Sequence, residues 1–138
     1  MNDLTSPNAA EKLKTWVKKE VEKATHKLMD QRNYTSPTIE SKPAWVLPYT
    51  LVIGKIREGG QNLEFEWFIC GDANLSKVHS SIADSPREAA RHFALQWQLE
   101  AARQGESGAD LAKRAEALYE LVEDAALWQG SSDNDPTS

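Results

Sequence analysis

Two extended runs dominate what this chain can fold into. Residues 49–56 (YTLVIGKI) are rich in β-branched and aromatic side chains, and from Leu63 to Cys70 apolar and polar positions alternate before the run turns wholly apolar. Leu63, Phe65, Trp67 and Ile69 share one face, whereas Glu64 and Glu66 precede Phe68 and Cys70 on the other. The front of the second strand is thus predicted to have one wet face and its end to be buried on both. Gly59 and Gly60 between the runs permit a reversal, so the simplest pairing is an antiparallel hairpin.

Helical stripes flank this hairpin. Leu13, Trp16, Val17, Val21, Ala24 and Leu28 step by three or four and predict a helix over about Pro7–Gln31, started by Ser6 before Pro7 or by Asn8 with Glu11. A second start is sharper: Ser85 supplies a cap, Pro86 fits the first helical position and Glu88 the third. Ala90, Phe93, Ala94, Trp97 and Ala101 continue it to Gly105, placed to end the helix in a left-handed conformation. Residues Ser107 to Asp110 then recap the chain for a third stripe, Leu111, Ala115, Leu118, Val122 and Ala125, ending near Trp128. The last two helices, joined by a short turn, should pack antiparallel.

Two stretches are less ordered in pattern. Residues 33–48 hold Pro37, Pro43 and Pro48 among polar residues and read as a loop running into a strand. Residues 75–82 allow either a short third strand or an irregular segment. The resulting fold class is α+β: a small antiparallel sheet, its apolar face covered by an N-terminal helix and a C-terminal antiparallel helix pair.

At 138 residues, with 40% hydrophobic and 27% charged side chains, the chain is expected to form one self-sufficient domain with an ordered core over about 7–128. Residues 129–138 form a flexible acidic tail in this reading, because they lack a large apolar side chain to offset ordering. Neither a cationic-then-apolar leader nor a run of about 18 apolar residues is present, and Cys70 is the single cysteine, so a cytoplasmic protein without disulfide or structural zinc is expected. No cofactor is implied.

Three separated blocks carry a resemblance: Pro43, Ala44, Trp45 with Pro48 and Tyr49; Trp67 with Gly71 and Asp72; and Pro86, Arg87, Glu88, Ala89, Phe93 and Trp97. In their order and spacing the chain resembles a small bacterial family of short proteins classed as a domain of unknown function, over roughly residues 10–128. The resemblance implies a fold but brings no activity. The family often carries a cysteine after its N-terminal tryptophan and an aromatic pair before Gly-Asp; here Val17 follows Trp16, and Ile69 and Cys70 intervene before Gly71.

Candidate chemistry is sparse. Cys70, Asp72, His79 and His92 match no metal-ligand spacing, and Cys70 at the end of an apolar strand fits a core position better than a nucleophile. Asp72 after Gly71 could point into a cleft or serve a turn. Arg87 is less readily explained, since a cation in a first helical turn opposes the helix dipole. A salt bridge between the two would be structural; joint binding of an anion would be functional. Among the five tryptophans, Trp16, Trp67 and Trp97 lie on apolar stripes and are expected in the core, while Trp45, between two prolines and near Tyr49, is either a lid over the core or an anchor for a partner.

Charge separates the remaining readings. Residues 1–32 carry seven basic and five acidic side chains, residues 33–99 six and seven, and residues 100–138 three and nine, for a net charge of −5. That balance argues against nucleic acid as a partner. It favours a non-catalytic module whose acidic C-terminal surface, including Glu116, Glu120 and Glu123, meets a basic protein surface. The competing reading is a small ligand-binding domain or enzyme using Trp45, Tyr49, Asp72 and Arg87 between the sheet end and the second helix. Oligomeric state is open in both.

Overall fold

The computed structural model describes residues 7–31, 39–58, 65–71 and 75–129. Helix α1 (Pro7–Gln31) precedes four strands, β1 (Ile39–Leu47), β2 (Leu51–Glu58), β3 (Glu66–Gly71) and β4 (Ser76–His79), and helices α2 (Pro86–Gln104) and α3 (Ala109–Glu123) close the chain. The strands form one antiparallel meander in the order β1-β2-β3-β4. The hairpin expected from sequence is the central pair β2–β3, with Ile53 opposite Ile69 and Lys55 opposite Trp67.

Among the described residues the sheet has four strands, where the sequence predicts a hairpin with an optional third. β4 fills the segment left open at 75–82, before a 3-10 turn at Ser80–Ile82. β1 occupies most of the proline-containing stretch 33–48, expected to be a loop running into a strand. Pro43 is tolerated there because β1 is an edge strand, where a missing N–H breaks no interior ladder, and a bulge between Pro43 and Trp45 absorbs the misfit. Tyr49 lies outside β2, in the turn closed by Thr50 N–H donating to Leu47 O at 3.0 Å. Its φ of 57° puts a bulky side chain in the left-handed position glycine ordinarily fills.

Nor do the helices share one face. Period-two alternation sends Leu51, Ile53, Trp67 and Ile69 toward α2 and α3, where they join Phe93, Ala94, Trp97, Ala115, Leu118 and Val122 in the larger core. Val52, Ile56, Phe68 and Cys70 point the other way, onto Val21, Ala24 and Leu28 of α1. The sheet is therefore the middle of three layers, which is why Trp67, Phe68, Ile69 and Cys70 are consecutively buried. Phe68 lies so close over Gly54 that a β-carbon there would come within 2.7 Å of its ring.

Helix α2 starts as its sequence dictates: Ser85 Oγ accepts from Glu88 N–H at 3.2 Å, and Glu88 Oε1 accepts from Asp84 N–H at 2.8 Å. The expected recapping at 107–110 does not occur. Ser107 Oγ instead donates to Gln104 O, and α3 follows Gly108 without a side-chain cap. Gly108 is pressed against α2, where a β-carbon would stand 2.3 Å from Ala101 O. Tryptophan placement explains their number: four are buried, and each of their indole N–H groups has an acceptor, Leu127 O for Trp45, Ala83 O for Trp67, Ser76 Oγ for Trp97 and Leu121 O for Trp128. Trp16 departs from its expected core place. It is half-buried, with its ring 5.4 Å from that of Tyr49.

Candidate functional site

Arg87 reaches the C-terminal end of α3, and Trp45 the 3-10 turn Ala125–Trp128 that follows it. The bulge in β1 turns Trp45 into the larger core, where it is 8% exposed, lies stacked on Trp128 at 3.9 Å between ring centroids, and donates to Leu127 O at 3.0 Å. Arg87, in the first turn of α2, donates from Nε to Val122 O at 2.8 Å. The carbonyl end of α3 accounts for a cation that opposes the dipole of its own helix, because it sits favourably at the negative end of another. Tyr49 belongs elsewhere: it is 47% exposed and meets Trp16 on the α1 side of the sheet. Asp72 lies outside the described residues, as do Gly59, Gly60 and the tail from residue 130.

Cys70 is buried, and burial, reinforced by the carboxylate of Glu20, pushes its thiol up to about 12, so it stays protonated and inert near neutrality. His79 Nδ1 is held 2.9 Å from Ser81 Oγ and accepts from Ser81 N–H. Among the described residues no three His, Cys, Asp or Glu side chains are grouped so as to hold a metal ion.

On the outside of the helix pair the acidic residues line up. Glu116, Glu120 and Glu123 are exposed along one flank of α3 and, with Tyr119 and Gln98 of α2, line a shallow groove of about 540 Å³. Tyr119 is 37% exposed between the carboxylates, and Leu95 and Leu99, one turn apart on α2 and bracketing Gln98, are exposed to 46% and 61%. Tyr119, Gln98 and the leucine pair were missed in the sequence. The legible sign was that Leu95 and Leu99 fall off the Ala90/Phe93/Trp97 stripe, where an apolar side chain has no core to enter.

Glu120 and Glu123 are also badly placed for helix stability. They occupy the last turn of α3, which holds no basic side chain and where the dipole disfavours anions, and each stands three or four residues from another glutamate.

With this geometry, a helix, a four-stranded antiparallel meander and a helix pair define the class of the molecule as a three-layer α+β domain. Residues 10–128, from the first turns of α1 to Trp128, match the DUF4826 family, a domain of unknown function, and the chain belongs to that family. No curated protein and no solved structure matches it. No helix among the described residues is long and apolar enough to cross a membrane.

Proposed function

We propose that this chain is a non-catalytic protein-binding module whose ligand is a basic, partly apolar segment of another protein, laid along the outer face of α2 and α3. The observation that carries the reading is the uncompensated set of carboxylates. Glu116, Glu120 and Glu123 repel one another, and the last two oppose the dipole of α3, yet no ion pair among the described residues relieves them. Lysines or arginines of a partner would turn that local cost into attraction, speeding and orienting encounter, while Tyr119, Leu95 and Leu99 offer apolar area for residence.

A photo-crosslinking side chain at position 119 in the full-length chain identifies the partner, whose affinity is then titrated at low and physiological salt. The expected result is a single protein captured in stoichiometric amount, with affinity falling as salt rises. The triple change of Glu116, Glu120 and Glu123 to Lys should weaken it by about 100-fold or more, since like charges across an interface cost several kcal/mol. Unchanged affinity of the triple variant would show that the acidic face is not the docking surface.

A further inference from the structure

A second concave surface lies on the opposite layer of the molecule. The N-terminal half of α1 runs alongside edge strand β1, and between them lies a groove of about 640 Å³, within the ~300–1,000 Å³ of small-molecule sites. One wall is the stripe Ala10, Leu13, Val17 and Val21; the other is Pro43 and Val46. The gap exists because the bulge in β1 sends Trp45 into the other core and leaves only compact side chains facing α1. At a rise of ~1.5 Å per residue the α1 wall from Ala10 to Glu22 is about 18 Å long, with Lys14 and Lys18 beside its middle.

The polar groups of the groove select among occupants. Ser41, the hydroxyl in its wall, is already paired with that of Thr25 at 2.9 Å. The outer edge of β1, unpaired among the described residues, is blunted by Pro43 and by the bulge, so an extended peptide would find an interrupted ladder there. What remains on offer is apolar wall and, at its rim, the exposed Lys14 and Lys18, one turn apart and in no ion pair among the described residues. Glu22 stands beyond them and disfavours an anion at that end. A long apolar body with one negative head complements this arrangement.

We propose that the groove between α1 and β1 binds a free long-chain fatty acid, the carboxylate held at the rim by Lys14 and Lys18 and the alkyl chain folded into the apolar groove. The site is separate from the acidic face of α2 and α3 and does not depend on it. The test is titration of the full chain with oleate below its micellar concentration, read by calorimetry and by displacement of a fluorescent fatty acid. The expected result is saturable one-to-one binding, weakened about tenfold or more by K14E/K18E and by replacing oleate with its methyl ester, and lost in Ala10→Trp, which fills the groove from an exposed position. Circular dichroism and thermal melting of both variants verify that they remain folded. Absence of saturable binding, binding indifferent to Ala10→Trp, or association with anionic vesicles but not with monomeric oleate would overturn the proposal. So would occupation of the groove by an apolar peptide in preference to oleate.

Discussion

Replacing Trp45 with alanine distinguishes a clamp inside the fold from an anchor for a partner. The side chain is 8% exposed, stacked on Trp128 with 15° between the ring planes, and hydrogen-bonded to Leu127 O. Removal of a buried aromatic of this size costs ~3–5 kcal/mol; that total includes ~0.5–1.5 for the ring pair and about 1 for the hydrogen bond. Trp45→Phe keeps a ring and loses the N–H, so it should cost ~1–2 kcal/mol. Equilibrium urea unfolding followed by circular dichroism reads both: with a slope of ~2 kcal/mol per molar, the alanine variant should lower the midpoint by about 2 M and the phenylalanine variant by under 1 M. Because Trp128 is the other half of the stack, the double variant with Trp128→Ala should fall short of additivity by ~0.5–3 kcal/mol. A midpoint within about 0.3 M of the parent for Trp45→Ala, or strict additivity in the cycle, refutes the clamp.

Three further outcomes follow from local geometry. Gly108→Ala forces a β-carbon to 2.3 Å from Ala101 O and 2.8 Å from Ala101 Cα, backbone atoms that cannot swing aside, and should cost ~1–3 kcal/mol; Gly105→Ala, with open space but φ +66°, should cost about 1, and thermal melts order the two. Cys70 keeps its proton in the folded chain up to about 12, whereas in the unfolded chain it ionises near 9.0, so its contribution to stability is intact below pH 9 and declines as pH rises from there toward 12; Cys70→Ala should flatten that alkaline limb, and a thiol reagent should label the parent only as fast as it unfolds. Glu120→Gln and Glu123→Gln should each raise stability by ~0.3–0.5 kcal/mol at low salt and by less at high salt, because each relieves a like charge and an anion at a helix C-terminus.

How much of this was legible in the sequence depends on how local the deciding contacts are. The start of α2 needs only Ser85, Pro86 and Glu88, which satisfy amides within one turn, and pattern alone found it. The central hairpin was legible because Leu51 to Ile56 and Trp67 to Cys70 are apolar enough to pair on any reading. β1 was obscured because prolines forbid an interior strand, while nothing local announces an edge. The two-sided burial was half visible in Phe68 and Cys70, yet their partners Val21, Ala24 and Leu28 lie on a helix that could equally have packed on the other face. Trp45 and Arg87 stayed ambiguous for the same reason: their acceptors, Leu127 O and Val122 O, are 82 and 35 residues away. The acidic flank of α3 was readable as charge, whereas its neighbours Gln98, Leu95 and Leu99 required the packing angle of the helix pair.

The end of α3 shows how the fold can support so unfavourable a row of glutamates. A helix C-terminus exposes carbonyls that basic side chains of its own last turn commonly satisfy. Here the side-chain donors lie outside the helix: Trp128 Nε1 joins the capping Asp124 N–H on Leu121 O, at 2.8 and 3.2 Å, and Arg87 Nε donates to Val122 O. With Leu121 O and Val122 O satisfied in this way, those two carbonyls need no lysine or arginine from the outer flank of the helix, and Glu120 and Glu123 can remain there. These ties restrain the end of α3, which would reduce the ordering cost of binding a partner there. Arg87→Gln should therefore lower stability by ~1–2 kcal/mol through the lost charge-assisted bond and, although Arg87 lines no part of the groove, weaken the crosslinked partner severalfold. Stability lowered with affinity unchanged would show that the surface acts through its charge alone and owes nothing to the stiffness of the helix end.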